Sequence, residues 1–352
     1  MRPKWQVIAG ISVLVIILGV LVGVGFSMFY RGAKPAPKKT EAARPKKKTP
    51  KPPAPVACPF RGEAGEEQVS RPLAVMIENL NSVRPQAGIG SACVVVEGLA
   101  EGGITRLMLV FGNHAADDVG PVRSARTHFV ALARGWDAIY AHVGGSKYAM
   151  QAIKDWGLAD WDQIGHGASF TRVGWTRAPH NVFTSTSRLR NDAAALKDGA
   201  GDMSARGLKF KAAPPLESRP DGLKKVTIDF SYPEYRVEYQ YDRQTNTYKR
   251  FNGGRPHTDA NTKLQVAPAN VAIMRANTSS IPGGSGVLDV QMTGSGPLTV
   301  LRDGQVIEGT WEKPTYDSPL TFMDAQGNEI EFSPGQTWIE IVQPTTAITI
   351  QQ

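Results

Sequence analysis

Only two cysteines, Cys58 and Cys93, occur in 352 residues, so at most one disulfide is open to the chain and no paired CxxC metal ribbon exists. No GxSxG elbow, HExxH helix or Walker loop is present, and Gly88-Ile89-Gly90 lacks the third glycine and the helix of a dinucleotide loop. These absences remove the usual serine-hydrolase, zinc-protease and nucleotide readings; no cofactor and no metal are expected. Nucleic acid is excluded on charge. The chain carries +8 overall, yet residues 31–56 hold nine positive charges against Glu41. With Arg2 and Lys4 the first 56 residues carry +10, leaving −2 for residues 57–352. A nucleic-acid binder needs its basic face on the folded body.

What is present begins with an unbroken apolar run, Val7–Phe29, without a charged residue. At a rise of about 1.5 Å per residue it reaches roughly 35 Å, enough to cross a bilayer core. It exceeds the roughly 7–15 residues of a signal-peptide core, which favours a retained anchor. The chain therefore divides into a cytoplasmic N-terminus (1–6), a transmembrane helix (7–29) and a Lys/Pro-rich disordered tether (30–69). Gly19 and Gly23 form a GxxxG pair through which two spans could dimerise. Flanking charge taken alone would hold the downstream side in the cytoplasm. The tether's prolines favour extended polyproline II, at about 3.1 Å per residue. Its lysines and arginines either meet anionic headgroups or acidic wall polymers, or serve as a solvated spacer.

Beyond the tether two textures follow. Over 70–212, short apolar runs (Leu73–Ile77, Cys93–Val96, Leu107–Phe111, Ala138–Val143) alternate with helical segments at Lys147–Trp156 and Ser187–Lys197, and Ser124 is placed to cap a helix reaching Trp136. Near-continuous apolar strands between helices predict an α/β layer architecture. Over 223–345, alternating Val237, Tyr239 and Tyr241, further short runs and an Asp303-Gly304 hairpin signal predict a mostly-β domain, a barrel or a sandwich.

Several strings fall at the spacing of a known family: Arg71-Pro72-Leu73-Ala74-Val75-Met76-Ile77-Glu78-Asn79, Arg84-Pro85-Gln86-Ala87-Gly88, Glu97 through Arg106, Gly120 through Arg126, His142-Val143-Gly144-Gly145-Ser146 and Ala178 through Phe183. Tyr241-Asp242, Asn246 through Arg250, Gly309-Thr310-Trp311 and Pro334 through Ile339 continue the match. Over about residues 70–345 the chain resembles the YerB-like family of bacterial envelope lipoproteins, whose two domains have no known function. The resemblance implies a body facing outward from the cell membrane, and it supplies no active site. The chain departs from the family pattern twice. A span stands where a lipid-bearing cysteine is usual, and Cys93 and Val96 stand where Asp and Tyr are expected. In an oxidising compartment Cys58 and Cys93 could join as a disulfide.

Polar residues gather beside glycines at the ends of the expected strands. Glu97 closes one strand and Glu101 follows in a Gly-rich loop; Arg106 opens the next. Arg123, Ser124 and Arg126 precede a helix, His142 and Ser146 flank a strand-to-helix turn, and Arg177, His180 and Asn181 surround Pro179. In an α/β sheet such turns collect at one edge, where ligands bind. One reading is acid/base cleavage of cell-wall glycan, by a hydrolase or a lytic transglycosylase-like activity. Glu101 would be the acid, Glu97 its partner and His180 the orienting group. Against it, Glu97 could pair with Arg106 or Arg123 as a structural ion pair. A second reading is a binding module whose arginines hold anionic groups of peptidoglycan or a linked wall polymer, unless those arginines only stitch loops together. A third is a non-enzymatic scaffold whose β domain binds a partner protein. His142, His166 and His180 lack metal-ligand spacing. Tyr239, Tyr241, Trp311 and Trp338 fit a core better than a sugar-stacking face.

Overall fold

A computed structural model of the protein describes residues 58–63, 71–195 and 206–352, all within one compact unit, Ala54–Gln352. The expected span at 7–29, the Gly19/Gly23 pair and most of the expected tether lie outside the described residues. Among the described residues no helix is long and apolar enough to cross a membrane.

The N-terminal half is α/β with a mixed sheet. Its strands are β1 (Leu73–Glu78), β2 (Val94–Leu99), β3 (Thr105–Phe111), β4 (Ile139–His142) and β5 (Ala159–Asp162), followed by the short pair β6 (Thr171–Arg172) and β7 (Val182–Phe183). Its helices are α1 (Thr127–Gly135), α2 (Lys147–Asp155) and α3 (Thr186–Ala195). The C-terminal half is mostly antiparallel β. It comprises β8 (Lys225–Asp229), β9 (Arg236–Asp242), β10 (Thr247–Asn252), β11 (Arg255–Pro256), β12 (Asn270–Arg275), β13 (Thr278–Ser280), β14 (Leu288–Val290), β15 (Gly294–Arg302), β16 (Gln305–Lys313), β17 (Thr321–Asp324), β18 (Thr337–Val342) and β19 (Ala347–Gln351).

The two halves share one ten-stranded sheet, in the order β17-β16-β15-β12-β18-β2-β3-β1-β4-β5. They join where β18 pairs in parallel with β2, Trp338 opposite Val95 and Glu340 opposite Glu97. A five-stranded sheet, β11-β10-β9-β8-β19, packs on one face, so the β region is layered as a sandwich. Side chains alternate along a strand: Ala74, Met76, Val94, Val96, Met108 and Val110 face α1 and α2. Leu73, Val75, Val95, Leu107 and Leu109 face the five-stranded sheet and α3. Both faces are thus covered, which explains why these strands read as continuous apolar runs.

Local chemistry sets the helix starts. Ser146 caps α2, its Oγ accepting the Ala149 amide at 3.1 Å, so this candidate site residue acts as a helix cap. Ser124 does not cap α1: the helix begins at Thr127, with Arg126 extended at the cap position and making no side-chain cap bond. Asp303 and Gly304 take positive φ, 55° and 71°, and form the tight β15–β16 hairpin. Two expected limits shift. Residues 58–63, placed in the tether by their sequence, belong to the folded body: Cys58 and Phe60 are buried, and Phe60 meets Trp136 edge-on at 6.1 Å. At the other end β19, beyond residue 345, pairs with β8.

Candidate functional site

Strands β1, β2, β4 and β5 run parallel to one another within the sheet, with β3 antiparallel between β1 and β2. Their C-terminal ends and the start of β3 therefore meet at one edge. Glu78 ends β1 directly opposite Arg106, the second residue of β3. The Glu78 carboxylate accepts from His180 Nδ1 at 2.7 Å and lies 3.3 Å from Arg123 Nε. Arg123 also donates to the Pro179 carbonyl at 3.2 Å. Beside it Arg126 grips one Glu101 oxygen through Nε (2.8 Å) and Nη2 (2.5 Å). Arg106 donates to the Ser124 carbonyl at 3.0 Å, while its buried Nε has no hydrogen-bond partner. Burial, reinforced by the neighbouring charges of Arg126 and Arg123, brings Arg106 down to about 10. Three guanidinium groups thus crowd two carboxylates.

The structure brings Glu101, Arg106, Arg123, Arg126 and His180 to this edge as expected, and adds Glu78. Asn181 stands next to it, accepting from Arg172 at 3.0 Å, and Arg177 is exposed in the same loop. His142 is buried rather than open to a ligand; its Nε2 meets Asp160 and its Nδ1 the Gly144 carbonyl, both at 2.8 Å. His142, His166 and His180 each engage a different carboxylate and form no common metal site.

Glu97 is corrected more sharply. One residue of parity turns it, with Val95, toward the five-stranded sheet, where it is fully buried. There it binds Arg250, not Arg106 or Arg123, and accepts from Asn79 Nδ2 at 3.0 Å. Glu340 lies beside it on β18 and accepts from Tyr239. Burial, with the charge of Glu97 added, pushes the Glu340 carboxyl up to about 8. Burial alone would lower Arg250, but Glu97 raises it and keeps it charged. Arg250 also lies 4.1 Å over the Trp338 ring and donates to His257, whose Nε2 reaches Gln86 at 2.9 Å. This network holds the two sheets together.

The proposed proton-transfer pair is thereby dissolved. Glu97 faces the interior. At Glu101 burial acts to raise the carboxyl, but the Arg126 bonds outweigh it and hold the group below the usual range. A carboxylate stabilised in that way gives up no proton at neutral pH. Tyr239, Trp311 and Trp338 are buried core residues, as their alternation predicts. A separate cavity of about 390 Å³, lined by residues including Arg61, Arg219, Asn246, Asp259 and Gln336, contains none of the expected site residues. Cys58 and Cys93 do converge, yet their sulfurs stand 3.7 Å apart as free thiols, well beyond a disulfide bond of about 2.05 Å.

With this geometry in view, comparison with known proteins is decisive for family. Family descriptions for the N-terminal and C-terminal domains of a protein of unknown function, DUF3048, match residues 61–199 and 226–339. The chain is 32% identical over 299 residues to YerB of Bacillus subtilis (strain 168), whose name carries the word lipoprotein; the match covers 84% of this chain and 88% of YerB. The chain belongs to the YerB-like family. A crystal structure of YerB from Bacillus subtilis shares the YerB-like fold with a TM-score of 0.74 at 29% identity, covering 84% of this chain and 99% of that one.

Sequence reasoning missed Glu78, Arg250 and Glu340. Glu78 carried the same signal as Glu97, a charged residue ending an apolar strand. The others bear no spacing that marks them.

Proposed function

We propose that this YerB-like protein is envelope-associated, anchored by its 7–29 span with the globular body extracytoplasmic. Its sheet-edge arginines would recognise anionic groups of peptidoglycan or a linked wall polymer. The observation supporting this reading is the excess of guanidinium at one edge. Among the described residues the carboxylates set against Arg106, Arg123 and Arg126 are Glu78 and Glu101, and Arg177 is exposed nearby. Guanidinium groups bind carboxylate and phosphate oxygens in two-pronged geometry. Recognition fits this cluster better than cleavage, because Glu101 is held ionised.

The test uses the full chain in detergent micelles, mixed with purified wall sacculi carrying or stripped of their anionic polymer. Co-sedimentation that weakens with salt is expected, and the R123A/R126A double variant should bind about tenfold or more weakly, given about 1.5–3 kcal/mol per charged hydrogen bond. Unchanged binding by that variant overturns the reading. A second reading, docking of a partner protein, is favoured by Ile164 and Trp175, which are 82% and 74% exposed near this loop region. Loss of sedimentation on Trp175→Ala with R123A/R126A unaffected, seen with walls that retain their attached proteins and not with protein-free sacculi, would select it.

A further inference from the structure

The segment that opens the folded body carries a second cluster of chemistry, away from the arginines. Cys58 lies in a tight turn whose amides from Arg61 and Gly62 return to its carbonyl. Cys93 immediately precedes β2, and His114 follows β3. Cys58 and Cys93 are buried, and the His114 side chain is 33% exposed. One ligand atom from each lies within 4.8 Å of the others.

We propose that Cys58, Cys93 and His114 bind a thiophilic divalent transition metal, zinc above all, which fastens residues 58–63 to the sheet. The spacing fits a tetrahedral centre. Metal–sulfur bonds of about 2.3 Å place two thiolates about 3.8 Å apart, and a metal–nitrogen bond of about 2.0–2.1 Å places sulfur and imidazole nitrogen about 3.5 Å apart. The observed separations are 3.7 Å between the sulfurs and 3.4 Å from Cys93 Sγ to His114 Nδ1. The surroundings fit as well. The Gly112 amide donates to Cys93 Sγ at 3.3 Å, an interaction that favours thiolate. A Cβ at Gly112 would come within 2.6 Å of Cys58 Sγ, so glycine leaves the room that the second sulfur occupies. His114 Nε2 faces Glu63 at 3.6 Å, and Glu63 is held by Arg61 at 2.9 Å. Glu63 thus stands on the side of the ring from which a carboxylate, once drawn to hydrogen-bond distance, directs the other ring nitrogen at a metal. Binding converts two thiols to thiolates and releases two protons. The resulting centre of two thiolates, one neutral imidazole and a dication carries no net charge, which suits burial.

The test takes the untagged full chain, purified in detergent under anaerobic reducing conditions, loaded with zinc or cobalt(II) and desalted. One zinc per chain by plasma mass spectrometry is expected, as is a thiolate-to-cobalt charge-transfer band. Cys93→Ser and His114→Ala should lose both. Glu63→Gln, one shell further out, should weaken zinc about 10–100-fold. Because His114 is partly exposed, metal-free His114→Ala should melt where the metal-free parent melts, and zinc should raise the melting temperature of the parent only. Reduced parent protein that retains no zinc overturns the proposal. So does retention undiminished in both variants, or oxidation to a disulfide in the presence of stoichiometric zinc.

Discussion

Arg250 shows what a buried charge does here. Its guanidinium is fully enclosed, bound to Glu97, stacked on Trp338 and linked to His257. Replacing it with methionine strands the Glu97 carboxylate inside the protein, a change that costs about 3–5 kcal/mol in comparable buried pairs. R250M should therefore melt far below the parent in calorimetry, and adding E97Q to it should restore part of the loss. Glu340 provides a test of opposite character. Its carboxyl is raised from 4.5 to about 8, so the folded state holds this proton more tightly than the unfolded one. The stability it contributes is complete below about pH 4.5 and is lost as pH rises through about 8. E340Q keeps the shape without the titration. The melting temperature of E340Q relative to the parent should climb between pH 5 and 8; a difference that stays level with pH would rule out the raised carboxyl.

At the scale of elements, the sequence was legible wherever burial and turn chemistry coincide. Leu73–Ile77, Leu107–Phe111 and Ala138–Val143 announced strands because both sheet faces are covered, and Asp303-Gly304 announced a hairpin, whereas the cap fell to Ser146, read from sequence as a ligand-binding residue, and not to Ser124. Charge pairing was not legible. Glu97 meets Arg250, 153 positions away, and only the pairing of β2 with β18 and the packing of a second sheet decide that encounter. The start of the helix near Ser124 lies two residues later than expected, because the extended backbone runs on through Ala125 and Arg126, whose donor-only guanidinium binds Glu101 and cannot cap the helix. The candidate edge was half legible: its arginines lie next to strand ends, while Glu78 looked like the end of an apolar run. The metal-ligand spacing of Cys58, Cys93 and His114 exists only in three dimensions.

For the whole molecule, the shared ten-stranded sheet matters most. The matched family segments end at residue 199 and resume at 226, yet β18 of the second is hydrogen-bonded between β2 of the first and β12 of its own. Cutting the chain at that junction would open two long, apolar strand edges. Residues 57–212 and 223–352 produced separately should each lack a cooperative melt and aggregate, whereas co-expression should give a soluble complex of both. Circular dichroism and size-exclusion chromatography read the outcome, and a sharp transition in either fragment alone would refute it.

The packing of Phe60 against Trp136, with Cys58 set beside Cys93 at the threshold of β2, also fixes how the body responds to tension. A pull on the chain ahead of Cys58 is delivered next to a central strand, not to the rim at β17 or β5. The first bonds to take that load are those tying residues 58–63 to the body, from the Leu208 and Gly335 amides to the Pro59 and Arg61 carbonyls and from Arg61 to the Ala92 carbonyl.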